Sequence, residues 1–130
     1  MPVFYKIDKE RKLVLTSGSG DVTCEEMLDH QARLANDSDF DPGFSQFIDT
    51  TEPKSIDFTP DCIRRLARKN LFSPSSRRAI LAEKDHLYAH ARMFEILREF
   101  EGELGIRVFR TREEALEWLA LENYQIESVN

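Results

Sequence analysis

Ala79-Ile80-Leu81-Ala82 is the segment that most narrows what this chain can become. The run is too short for a helix and lacks the alternation of a strand with one wet face. It reads as a strand from Arg78 to Ala82 that is covered on both sides, which requires a largely parallel sheet with helices on its two faces.

The flanking segments supply those partners. Val3 to Asp8 alternates as a strand, Lys9-Glu10-Arg11 is a polar turn, and Lys12 to Ser17 holds Leu13-Val14-Leu15, so the chain opens with an antiparallel hairpin. Gly18-Ser19-Gly20 ends it. Thr23 with Glu26 makes a capping box for a helix to about Asn36, whose apolar face includes Met27, Leu28, Gln31, Leu34 and Ala35. A loop over Asp37 to Gly43 leads to a short strand, Ser45 to Asp49. Thr59-Pro60 supplies an N-cap and a first-turn proline for a second helix to about Leu71. Ser73-Pro74-Ser75-Ser76 stops that helix. Asp85, as cap, opens the longest helix, to about Gly102. Ile106 to Arg110 is the last strand, and Thr111 with Glu114 caps a final helix carrying Ala115, Leu116, Trp118 and Leu119. The predicted order is β-β-α-β-α-β-α-β-α: one α/β domain over residues 1–122, mostly parallel with an antiparallel first strand, then a weakly patterned tail, 123–130.

Charge is distributed unevenly. The 130 residues carry a net charge of −6, yet Lys54 to Lys84 holds eight basic and three acidic residues, a local +5 that leaves −11 elsewhere. The second helix concentrates it: Arg64 with Arg68, and Arg65 with Lys69, form two i, i+4 pairs, while Ile63, Leu66 and Ala67 can face the sheet. Such a face suits an acidic protein partner. The overall acidity and the lack of aromatics between the basic residues weigh against nucleic acid. No apolar run reaches the length of a membrane helix, and no signal-peptide pattern opens the chain. Cys24 and Cys62 lie far apart without a Cys-x-x-Cys spacing, so the expectation is two free thiols in a reducing cytoplasm.

The element order resembles the SpoIIAA-like family, relatives of the STAS domains (sulfate transporter and anti-sigma factor antagonist). The resemblance spans nearly the whole chain. It is carried by Asp39-Phe40-Asp41-Pro42-Gly43 before a strand ending in Asp49, and by Val108-Phe109-Arg110-Thr111-Arg112-Glu113-Glu114-Ala115-Leu116-Glu117-Trp118-Leu119. It implies a compact α/β fold, a bacterial cytoplasmic setting and no catalysis; no cofactor is expected. Members with the sigma-factor role present a phosphorylatable Ser in an Asp-Ser-Ser-Gly type segment at the start of the second helix. The matching place here is Asp57-Phe58-Thr59-Pro60, which has an acid and a hydroxyl but neither Ser nor Gly, so that phosphoswitch is not expected. In the family this helix lies in the partner-facing region, which implies docking through Arg64, Arg65, Arg68 and Lys69.

Ligands of open α/β sheets bind beyond the carboxyl ends of the parallel strands. That rule nominates a rim of Asp49, Thr50, Glu52, Asp57, Thr59, Glu83, His86 and Arg110, any of which could equally be a cap or solvated turn. No nucleophile–base pairing or paired carboxylates mark an enzyme. His86 and His90 share a helical face but lack a third ligand, and Asp37-Ser38-Asp39-Phe40-Asp41 fails as a calcium loop at Pro42 and Ile48, so no metal site is expected. Gly18-Ser19-Gly20 lacks the Lys of a phosphate loop and meets acids at the helix start. The third helix is apolar on more than one face, from Leu87 and Tyr88 to Ile96, Leu97 and Phe100. Burial within the fold is expected first, a homodimer contact next, and a pocket for a small apolar or amphipathic ligand third. The sequence thus predicts a non-catalytic regulatory or protein-interaction module, with a carrier or sensor of such a ligand as the alternative.

Overall fold

The computed structural model describes residues 2–121; the expected tail, 123–130, lies outside the described residues. The opening hairpin is β1 (Val3–Asp8) and β2 (Leu13–Gly18), antiparallel, with Lys12 in the left-handed region (φ 54°) to close the turn. Parallel strands β4 (Ser45–Asp49), β6 (Arg78–Leu81) and β7 (Ile106–Phe109) follow, giving one five-stranded sheet in the order β1-β2-β4-β6-β7. The mixed α/β architecture with an antiparallel first strand is the one expected.

Strand alternation divides the core into two layers. Leu13, Leu15, Phe47, Ala79 and Leu81 point to one face and pack under α4 (Arg112–Trp118), with Ala115 and Leu119. The other face carries Ile48, Ile80, Ile106 and Val108 and is roofed by α1 (Cys24–Ala35), α2 (Pro60–Ala67) and α3 (Asp85–Phe100). Burial of all four β6 side chains follows from helices on both sides.

The helix starts follow the caps. Thr23 and Glu26 form the complete capping box of α1, Thr59 accepts from the Cys62 amide at the head of α2 beside Pro60, and Thr111 accepts from the Glu114 amide. Asp85, expected as a cap, is instead the first residue of α3. The N-cap is Lys84, whose ammonium offers no acceptor to the free helix amides; the Asp85 carboxylate accepts from Arg110 at 2.6 Å. α2 also ends earlier than expected, at Ala67 rather than near Leu71.

Two short strands were not expected: β3 (Asp21–Val22) and β5 (Ser55–Ile56), which pair in parallel as Asp21↔Ser55 and Val22↔Ile56. β3 leads through Thr23 into α1 and β5 leads through residues 57–59 into α2, so their pairing brings the N-termini of α1 and α2 together. The expectation of free thiols fails for that reason. Cys24 and Cys62, each in the first turn of its helix, form a disulfide, with Cα atoms 5.8 Å apart and both residues buried. A reducing compartment loses the support that free thiols gave it. Among the described residues no helix is long and apolar enough to cross a membrane.

α3 buries Leu87, Ala91 and Phe94, as expected for a covered helix. Ile96 and Phe100 fall on its outer face, Phe100 being 84% exposed, so burial accounts for only part of its apolar surface.

Candidate functional site

The helix-roofed face of the sheet is not uniformly apolar. Register places Gln46 beside Arg78 across β4 and β6, and Val14 beside Gln46 across β2 and β4. Thr16, two residues along β2, points to the same side. These polar groups are joined end to end. Arg78 Nε donates to Gln46 Oε1 at 3.0 Å, Gln46 Nε2 donates to Thr16 Oγ1 at 3.0 Å, and Thr16 Oγ1 lies 3.3 Å from His30 Nε2 on α1. The direction of the chain is satisfied when the Thr16 hydroxyl donates to Nε2, which puts the imidazole proton on Nδ1. At its other end, Arg78 Nη1 meets both oxygens of Glu103 at 2.9 and 3.0 Å, and Arg98 Nε reaches the same carboxylate at 2.7 Å. Thr16, His30, Gln46, Arg78, Arg98 and Glu103 are all buried.

This chain borders a cavity of about 120 Å³ between the sheet and the helices, partly open to solvent. Its wall is mostly apolar, with Val22, Ile48, Ile80 and Phe94 prominent, and Leu66 enters from the inner side of α2. Thr16, His30, Gln31, Gln46 and Arg78 are among its lining residues. Gln31 is the informative one. Its Nε2 donates to the Leu66 carbonyl at 3.1 Å, which fixes the orientation of the amide, and its buried Oε1 has no partner among the described residues. An acceptor in that condition costs stability unless something donates to it.

Burial, seconded by the cations of Arg33 and Arg78, pushes the His30 pKa down to about 4, so its imidazole is neutral around pH 7. Burial also lowers the Arg78 pKa from its ordinary value, opposed by Glu103 and reinforced by Arg98. The rings of Phe72 and Phe94 lie 4.3 and 6.0 Å from the Arg78 guanidinium carbon. An apolar wall with a hydrogen-bonding edge can hold a molecule with an apolar body and a polar end.

The expected rim is divided. Asp49 and Thr50 border the cavity. Thr50 Oγ1 is committed to the Leu81 carbonyl at 2.6 Å, and Asp49 is held by Thr51 and by Arg112 at 2.9 Å. Arg110 is drawn to the Glu83 carbonyl and to Asp85, over the Tyr88 ring. Asp57 accepts from the Thr59 amide at 3.2 Å. His86 offers its carbonyl to His90 Nδ1 at 2.7 Å, and the His90 ring stacks on Phe58. Glu52, Asp57, Thr59, Glu83, His86 and Arg110 are not among the described residues lining the cavity. Arg64 and Arg65 are exposed on α2, while Arg68 is its C-cap and Lys69 lies beyond it, so the two expected helical pairs are not completed within the helix; among the described residues Arg65 alone of the four pairs with an acid, Glu25 at 3.7 Å.

Sequence reasoning passed over Gln46, Arg78 and His30. The available signal was a polar residue next to apolar strand residues: Gln46 before Phe47-Ile48, and Arg78 before Ala79-Ile80. Gln31 gave a similar sign as a polar member of an otherwise apolar helix face.

The elements together define a small α/β domain, with a sheet roofed by three helices on one face and by one on the other. The fold is SpoIIAA-like. The structure is similar to that of an uncharacterised protein from Shewanella loihica PV-4, described as a DUF3478-family protein with a SpoIIAA-like fold, with a TM-score of 0.55 over 90% of this chain and 93% of that one at 20% identity. No family model matches the sequence, and no curated protein does.

Proposed function

We propose that this protein is a non-catalytic binding module that holds a small amphipathic molecule in the cavity under α1, α2 and α3. The observation that carries this reading is a mostly apolar cavity whose lining includes Gln31, a residue whose buried Oε1 has no partner among the described residues. A guest supplying a donor there, and burying its apolar part against Ile48 and Ile80, gains from both terms. The neighbouring polar groups act as a fixed recognition edge, because most already hold one another in place. Native mass spectrometry of freshly purified protein tests the reading. A mass that leaves on denaturation is expected. A bare chain mass, with no thermal stabilisation by hexan-1-ol or hexanoate, would contradict it.

A second reading, a regulatory contact through α2, has its own support. Leu66 meets the cavity from the inner side of the helix that displays Arg64 and Arg65 outside, with Arg68 and Lys69 exposed just past its end. Occupancy of the cavity and attraction of an acidic partner would therefore act on one helix, as a sensor requires. Arg65→Glu with Arg68→Glu should leave folding and guest binding intact while abolishing partner binding; unchanged partner binding would remove this role.

A further inference from the structure

Arg78, Arg98 and Glu103 form a buried cluster with two guanidinium groups and one carboxylate, a surplus of one positive charge. Among the described residues the other buried carboxylate, Glu95, does not cancel it. Glu95 is bound by Arg92 at 2.6 Å, reached by Arg107 at 4.0 Å, and accepts from the Val108 amide at 3.1 Å. The two arginines of the cluster make different bonds, although neither has a hydrogen-bond partner for its Nη2 among the described residues. Arg98 spends its other bonds on the Ala67 carbonyl and the Asn70 side chain. Arg78 uses Nε on Gln46 and Nη1 on Glu103, and its Nη2 has no hydrogen-bond partner among the described residues. Arg78 is also the member of the cluster that lines the cavity.

A surplus charge out of water is costly unless an opposite charge meets it. Phe72 and Phe94 offer ring faces to the Arg78 cation, which eases the cost but supplies no counter-charge. Resting on the reading of the cavity given above, we infer that the guest is a small monocarboxylic acid whose carboxylate is received by Arg78. A guanidinium edge with a free nitrogen matches a carboxylate oxygen, and the pairing is strongest where water is scarce. The neutral His30 and the hydroxyl of Thr16 add no competing negative charge to that edge. Gln31 Oε1 remains for a hydroxyl on the same guest or for water that enters with it. The cavity volume of about 120 Å³ sets the size of the apolar body: a cavity of roughly 150 Å³ can hold benzene, so the buried part has about six carbons.

The test compares hexanoate with hexan-1-ol, equal in chain length and different in charge, by amide chemical-shift titration at about pH 7.5, where the acid is fully ionised. Hexanoate should bind about tenfold tighter or more, and the Arg78 Nε–Hε resonance should move with hexanoate and stay still with the alcohol. Equal affinities, or a still Arg78 resonance, would overturn the carboxylate assignment while leaving the cavity reading intact. Binding of neither would overturn both. In Arg78→Met, if folded, the preference for the acid should vanish; a retained preference would place the carboxylate elsewhere and overturn the assignment. The wild-type comparison decides the matter even if that variant does not fold.

Discussion

Cys24 and Cys62 are joined through their sulfurs where the parallel β3–β5 pair delivers the starts of α1 and α2, with their Cα atoms 5.8 Å apart and a sequence separation of 38. The bond ties together two of the three helices that roof the cavity. Gln31 and Leu66, on those same two helices, are linked by the hydrogen bond that leaves Gln31 Oε1 unpartnered. The disulfide therefore belongs to the framework of the site.

Closing a loop of that length restricts the unfolded chain by about 4 kcal/mol in the chain-entropy account. Reducing the bond should lower the free energy of unfolding by about 2–4 kcal/mol. Urea unfolding with and without a strong reductant measures this, and overlapping curves would show that the bond contributes nothing.

Glu103→Leu should destabilise the protein by about 3–5 kcal/mol, because it strands two buried guanidinium groups without a counter-charge. Equilibrium denaturation checks it. Glu117→Leu, an exposed carboxylate on α4, serves as the control and should change stability by less than about 0.5 kcal/mol.

Gly105 sits where β7 begins, against the Ser76 backbone, and its carbonyl accepts from the Arg78 amide and from Trp118 Nε1. A Cβ there would collide with the Ser76 carbonyl oxygen, a backbone atom with little room to retreat. Gly105→Ala should cost about 1–3 kcal/mol or more. By contrast, nothing lies within 4 Å of a Cβ at Gly102. Substitution there should cost only the strain of its φ of 93°, about 1–2 kcal/mol. A thermal melt of each variant gives the order.

Stability should decline as pH falls from about 6.5 toward 4. His30 takes a proton near 6.5 when unfolded but only near 4 when folded, so between those values the unfolded chain binds more protons. Below the folded value both states are charged and the trend levels off. The groups that set the shift are Arg33 and Asp29 on α1 and Arg78 on β6, around a ring that contacts Thr16 and Tyr5. The total loss is about 3 kcal/mol at most. His30→Gln should flatten this part of the pH profile, and an unchanged slope would assign it to other groups.

Local signals carried most of the architecture. Thr23 with Glu26 and Thr59 with Pro60 mark helix starts through bonds made within a few residues, and Ala79-Ile80-Leu81-Ala82 reveals a doubly covered strand without any partner in view. The β3–β5 pair escaped because two residues per strand have no period to read. The disulfide escaped with it, since that pairing is what brings Cys24 to Cys62. The polar chain was hidden for another reason: Gln46, Arg78 and Glu103 are unremarkable one at a time, and become a buried cluster only through sheet register and the turn after α3.

The most direct check on the account is whether a guest enters the cavity. Intermolecular nuclear Overhauser effects between protein methyl groups and bound hexanoate or hexan-1-ol answer it. The account predicts contacts from the methyls of Val22, Ile48 and Ile80, which line the cavity on the helix-roofed side of the sheet. Contacts confined to Ile96 and Leu104 at the surface, or none at all, would contradict it.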